Sequence, residues 1–314
     1  MLNSAAAALK SLYANLAKVI VGKGETIFCL LAALIARGHV LLEDVPGTGK
    51  TMLARTLAQS LHASMRRLQC TPDLLPSDVT GSSIYRQDLQ RFEFVPGPAF
   101  ADVLLVDEIN RATPRAQACL LECMEERQIS VDGQPRALPD GFFVIATQNP
   151  AGFHGTFPLP EAQLDRFMVR LHLGYPAPDS EVAMLAARVH GEPLADVTPV
   201  LTPAALAEIQ KAARAVEVHP DVQRYIAAVT RATRSAGEIE LGASPRASLA
   251  LMRASQAVAL LGGKSFVTPD HVKRIAVPVL AHRIVPRQGS DAATAERLVL
   301  AALDTVAVPV HATA

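Results

Sequence analysis

Strand-like runs alternate with stretches of helical spacing through the first half of the chain. Val40–Leu42, Arg66–Gln69, Val103–Val106, Phe142–Ala146 and Met168–Leu173 read as strands. Between them apolar residues recur at helical intervals, as at Leu53, Leu57 and Leu61. Strands this apolar, separated by helices, predict a parallel sheet covered on both faces. Ligands in such folds lie beyond the carboxyl ends of the strands. After Leu173 the pattern changes. Gly174-Tyr175-Pro176-Ala177-Pro178-Asp179 reads as a linker ending in a helix cap. Beyond it almost everything is helical: about 179–190, 203–216, 221–235, 245–261 and 269–281, with a further helix near 292–304. Pro203, Pro245 and Pro269 each follow Thr or Ser, as expected for a cap and first helical position. The expected division is an α/β core over 1–174 and a helical domain over 175–314.

Two inserts interrupt the alternation. Over about 71–100, Ser82–Tyr85 and Arg91–Val95 are set to pair around Arg86–Gln90. Over about 128–139, Ile129–Val131 and Arg136–Leu138 flank Asp132-Gly133, a strong hairpin turn signal.

Composition narrows the function classes. Half of the 314 residues are hydrophobic, enough for two packed cores, and the formal net charge is zero. A protein that binds nucleic acid without sequence preference usually carries a basic excess, so nucleic acid is not an expected partner. The surplus of Arg over Lys has no functional reading by itself. Cys29, Cys70, Cys119 and Cys123 lack disulfide or zinc spacing and are expected in the core, although Cys119 and Cys123 share a helix face. The longest apolar run, Ile27–Ala36, is too short for a membrane span, and no signal-peptide layout opens the chain. A soluble, cytoplasmic protein without membrane insertion is expected.

The chemistry gathers at strand ends. Val40-Leu41-Leu42 leads into Glu43-Asp44-Val45-Pro46-Gly47-Thr48-Gly49-Lys50-Thr51 and then, from Met52, a helix. A strand, a Gly-rich turn and a helix start cradle phosphates, because backbone amides converge there with the positive end of the helix dipole. Lys50 is placed to reach the β- and γ-phosphates of ATP, and Thr51 to offer its hydroxyl to Mg²⁺. Asp44 stands where the generic pattern has its first glycine. About 55 residues later, the buried strand Val103–Val106 ends in Asp107-Glu108. Asp107 suits a Mg²⁺ ligand and Glu108 a group that polarises the attacking water. A third strand ends in Thr147-Gln148-Asn149, where Asn149 is a candidate to bond that water or the γ-phosphate.

This combination resembles an AAA+ ATPase, and longer motifs narrow it. Thr71-Pro72-Asp73-Leu74-Leu75-Pro76-Ser77-Asp78-Val79-Thr80-Gly81, Asp107-Glu108-Ile109-Asn110-Arg111-Ala112, Pro158–Phe167 and Gly242–Ser248 are similar to the MoxR family, from about Val21 to Pro309. Asp44 also fits that family's phosphate loop. The resemblance implies an α/β fold: an AAA+ P-loop core with a five-stranded parallel sheet, plus a C-terminal all-helical lid domain. It implies Lys50 and Thr51 as Walker A, Asp107 and Glu108 as Walker B, and Asn149 as sensor 1. Arg166 corresponds to the arginine finger that reaches a neighbouring subunit, Arg246 to sensor 2, and Val21-Gly22 to the adenine-side segment. Arg166 has an alternative as a local ion pair with Asp165 or Glu161, and Arg246 as an ordinary exposed arginine in a helix's first turn. The inserts correspond to a helix-2 insert and a pre-sensor-1 hairpin facing the pore or a partner. Ala151-Gly152-Phe153-His154 departs from the family's more polar wording, and its role stays open.

By the same resemblance the chain forms a homo-oligomer, a hexameric ring. It hydrolyses ATP to remodel a client carrying a von Willebrand factor A domain, often for metal or cofactor insertion. Three alternatives remain at this point: a nucleic-acid motor, a magnesium-chelatase-like motor subunit, and a nucleotide-gated scaffold with little turnover. The neutral charge weighs against the first, and the motif wording against the second. Glu108, Asn149 and Arg166 together weigh against the third.

Overall fold

The computed structural model describes residues 2–45, 47–149, 156–189, 191–288 and 292–309. Two helices open the chain, α1 (Leu2–Val19) and α2 (Gly24–Ile35), followed by β1 (Val40–Glu43), α3 (Lys50–Ser60) and β2 (Met65–Gln69). A short α4 (Pro76–Thr80) leads into the hairpin β3 (Gly81–Arg86) and β4 (Arg91–Pro96). Next come β5 (Val103–Asp107), α5 (Pro114–Glu126) and the hairpin β6 (Gln128–Val131) with β7 (Gln134–Ala137). The core closes with β8 (Phe143–Gln148), α6 (Glu161–Leu164) and β9 (Val169–Leu171).

All five strands expected for the sheet form it. They are parallel, in the order β2-β5-β8-β1-β9. Successive residues of each strand face opposite sides. Leu42, Leu105 and Ile145 therefore join α1, α2 and α3 in one core, while Leu41, Leu104, Val106 and Val144 join α5 in another. Burial on both faces explains why β1, β5 and β8 are apolar without alternation. The edge strand β2 buries only Leu68 and exposes Arg66, Arg67 and Gln69, contrary to the expectation of cover on both faces.

The rest is α7 (Pro178–Val189), α8 (Pro203–Arg214), α9 (Pro220–Ser235), the short β10 (Ile239–Leu241), α10 (Pro245–Leu261), α11 (Pro269–Leu280), β11 (Val285–Pro286) and α12 (Ala292–Thr305). Thr202 and Ser244 accept hydrogen bonds from the amides of Ala205 and Ala247, as the Thr-Pro and Ser-Pro cues imply. Helix α10 is central, packed against α1, α2, α8, α9 and α11. Its core is continuous with the α1–α3 side of the sheet. The antiparallel pair β10–β11 is a departure from the wholly helical expectation. It ties the segment after α9 to the segment before α12.

Both inserts are hairpins. At the tip of β6–β7, Asp132 (φ 54°) and Gly133 (φ 73°) adopt the left-handed conformations that the Asp-Gly pair favours. The hairpins also touch: Ser83 bonds the Asp132 carboxylate, and the Arg136 guanidinium lies 3.9 Å from the Phe94 ring centre. Among the described residues no helix is long and apolar enough to cross a membrane.

Candidate nucleotide site

The strand register assembles the site. Leu42 of β1 lies opposite Thr147 of β8, and Val106 opposite Ala146, so Asp107 and Thr147 arrive side by side at the carboxyl edge. Gly47 (φ 86°) and Gly49 (φ 92°) use left-handed backbone to turn the chain into α3. Lys50, Thr51 and Met52 form the helix's first turn, and with Gly47, Gly49, Asp107, Glu108, Thr147 and Asn149 they line a cavity of about 360 Å³. Thr48 bonds back to the Val45 carbonyl at 3.4 Å, while Pro46 lies outside the described residues.

Lys50 Nζ donates to the carbonyls of Asp44 (2.8 Å) and Val45 (3.3 Å). Burial lowers its pKa, opposed by the charges of Asp44, Asp107 and Glu108. The Asp44 side chain is engaged at the end of β9. Its carboxylate accepts the backbone amides of Leu173 and Gly174, clamping the loop's entry to the end of β9. That clamp is a physical reason for an acid where the generic pattern has glycine.

Glu108 is the most constrained acid of the site. Its backbone is left-handed (φ 56°, ψ 52°), and its amide donates to Thr147 Oγ1 at 2.9 Å. Asn149 Nδ2 lies 3.0 Å from Oε1, Gln69 Nε2 3.3 Å from Oε2, and Arg111 pairs with Oε2 at 3.2 Å. Arg67, which the sequence reading did not single out, pairs with Asp107 at 2.6 Å and lines the same cavity with Gln69. Both lie on β2 next to β5, a pairing across about forty residues that no local pattern announces. Thr51 and Asp107 offer hard oxygen donors in one cavity. This sparse set suits Mg²⁺, which keeps several waters and takes its remaining ligands from substrate phosphates.

Val21 and Gly22 form the turn between α1 and α2. The neighbouring Ile20 Cδ1 would lie 3.9 Å from a Cβ at Gly49, which brings this turn beside the phosphate loop.

Arg166 and Arg246 lie elsewhere. Arg166 pairs with Glu125 at 3.3 Å and Arg246 with the same carboxylate at 2.6 Å. They line a different cavity that shares no residue with the one around Lys50. The alternative of an Arg166 pair with Asp165 or Glu161 is corrected: the partner is Glu125. Asp165 is taken by Ser244 (2.9 Å) and by Arg283 (2.7 Å), a buried arginine missed in the sequence. Arg283 also donates to the carbonyls of Asp165, Phe167 and Met168. The loop containing Phe153 and His154 lies outside the described residues. Cys29, Cys70 and Cys123 are buried and Cys119 half-buried; no cluster of metal-ligating side chains occurs among the described residues.

The parallel sheet, the phosphate loop, the acid pair at the tip of β5 and the helical layer define an AAA ATPase with a lid domain. Residues 39–169 match the ATPase family associated with various cellular activities (AAA), and residues 231–301 the AAA lid domain. YeaC of Bacillus subtilis is 45% identical over 95% of this chain and 93% of its own. Chaperone MoxR1 of Mycobacterium tuberculosis is 38% identical over 93% of this chain and 80% of its own. A crystal structure described as an ATPase candidate from Cytophaga hutchinsonii superposes with a TM-score of 0.89 at 34% identity, covering 98% of this chain and 97% of that one. The chain belongs to the MoxR family of AAA+ ATPases. It binds and hydrolyses ATP as a chaperone-like member of that family.

Proposed function

We propose that the chain is the motor of a ring whose ATP sites are each completed by a neighbouring subunit. The observation that carries this reading is the separation of Arg166 and Arg246 from the cavity around Lys50. Two arginines of the types that serve phosphoryl transfer stand together on the chain, beyond its own phosphate loop. A head-to-tail contact closing into a ring, a hexamer by family resemblance, brings such a patch to the next subunit's loop.

Within each site Val45, Pro46, Gly47, Thr48 and Gly49 cradle the phosphates and Lys50 meets the β- and γ-oxygens. Val21 and Gly22 flank the adenine. Thr51 and Asp107 hold Mg²⁺, which when bound neutralises charge on the phosphate oxygens. Glu108 orients and polarises the attacking water, and Asn149 holds the Glu108 carboxylate and senses the γ-phosphate. Arg166 and Arg246 stabilise charge that develops on the neighbour's transferred phosphoryl group. The functional division lies near residue 175.

The work of hydrolysis is the remodelling of a client protein that carries a von Willebrand factor A domain, in a cytoplasmic setting, for metal or cofactor insertion. Support comes from the MoxR naming of the relatives and from the exposed apolar side chains of the β3–β4 hairpin, notably Phe92. A Glu108→Gln chain, added to native lysate with ATP, is expected to retain bound partners. Capture of an A-domain protein only with ATP supports the reading. Capture of nucleic acid or chelatase-type subunits instead contradicts the client assignment and leaves the ATPase standing.

A further inference from the structure

The cavity between the core and the helical layer, about 330 Å³, is lined by seven arginines, no lysine and two carboxylates. Both carboxylates are committed. Glu125 holds Arg166 and Arg246, and Asp165 holds Arg283. Arg37, Arg127, Arg214 and Arg253 remain, with no carboxylate bonded to any of them among the described residues.

Arg127, at the carboxyl end of α5, donates only to the carbonyls of Phe142 (3.3 Å) and Arg37 (2.7 Å). Arg37, at the carboxyl end of α2, donates to the Asp140 carbonyl at 3.2 Å. Arg214 and Arg253 project from the exposed faces of α8 and α10. His39 brings no charge: burial pushes its pKa down to about 3, and its ring is spent on Val144 N–H and the Met124 carbonyl. The buried Nε of Arg166 has no acceptor.

Helix ends attract Arg37 and Arg127, but each dipole terminus carries only about half a unit charge, too little to neutralise the guanidinium beside it. Burial, reinforced by the charges of Arg37 and Arg214 and opposed by Asp140, lowers the pKa of Arg127 to about 10. Like charges gathered around a concave, partly desolvated space repel one another, and a compact polyanion relieves that repulsion. Arginine forks match phosphate oxygens better than ammonium groups do. The volume suits a small ligand.

We propose that this cavity is a second anion site, separate from the phosphate loop, which takes a compact oligophosphate such as inorganic pyrophosphate. Arg37, Arg127, Arg214 and Arg253 have no part in the ATPase reading, so the proposal survives if the Arg166 assignment fails. The neighbour's nucleotide is another source of the same phosphoryl chemistry, and the test separates the two.

Pyrophosphate is titrated calorimetrically into nucleotide-free full-length chain carrying Lys50→Ala, which weakens the phosphate loop in every subunit. Saturable binding is expected, reduced about tenfold or more by adding Arg214→Gln and Arg253→Gln, and weakened by salt. Both added substitutions are at exposed helix positions, and a circular dichroism melt checks folding. Absence of saturable binding at millimolar pyrophosphate, or binding indifferent to the two substitutions, overturns the proposal. Loss of pyrophosphate binding in wild-type chains that hold ATP also overturns it, since the arginines then serve the neighbour's nucleotide.

Discussion

Glu108 is held at three points by Asn149, Gln69 and Arg111, with its own backbone in a left-handed conformation. For the proposed role, a carboxylate fixed this tightly beside Lys50 is preorganised to hold the attacking water rather than free to wander. Lys50, Asp107, Glu108 and Asn149 were legible in the sequence because each is polar at the end of an apolar strand or turn. Arg67, Glu125 and Arg283 were not, because their partners lie 40, 121 and 118 residues away. Only the folded register brings those pairs together. Arg283 carries the clearest stability consequence: it is fully buried with Asp165 and four backbone carbonyls. Replacing it by Met leaves Asp165 with a hydroxyl donor and no counter-charge. Chemical denaturation of Arg283→Met is expected to show a loss of about 3–5 kcal/mol. A loss below about 1 kcal/mol contradicts the view that this pair locks the Arg166 segment to the helical layer.

At the scale of elements, the sheet strands and both hairpins follow directly from pattern. Continuous apolar runs mark the inner strands β1, β5 and β8, while the edge strand β2 (Met65–Gln69) is polar apart from Met65 and Leu68. Asp132-Gly133 marks a turn whose left-handed residues are observed. The pair β10–β11 escaped notice because three-residue and two-residue strands are too short to show a period. Helix α1 has no counterpart in the sequence reading, although Leu9, Leu12 and Leu16 are buried on one face. The β3–β4 hairpin exposes Ile84, Tyr85, Leu89 and Phe92, with Phe92 72% exposed and its ring 5.3 Å from that of Tyr85. Exposed aromatic pairs on a hairpin mark a contact surface rather than a folding core. The double substitution Tyr85→Ser, Phe92→Ser is expected to leave basal ATP turnover within about twofold while abolishing client capture by the Glu108→Gln chain. Unchanged capture, measured by pull-down with ATP, removes the hairpin from the client interface.

The whole molecule keeps the two groups of candidate site residues apart. Lys50, Asp107, Glu108 and Asn149 face one cavity, and Arg166 and Arg246 face another that shares no lining residue with it. The sequence disclosed the residue types through family resemblance, but the distance between the groups exists only in the fold. The site proposed above needs two chains: one would supply the loop and Glu108, the next the arginines. The most direct measurement is complementation. Arg166→Ala and Glu108→Gln chains are each expected to be nearly inactive alone, the first lacking the finger and the second the water-polarising carboxylate. Mixed in equal amounts, they form some interfaces that pair an intact Glu108 site with an intact Arg166. Steady-state ATP hydrolysis should then recover to roughly a quarter of the wild-type rate if interfaces act independently. A mixture that stays as inactive as its components, although both chains are shown to co-assemble, contradicts the shared site.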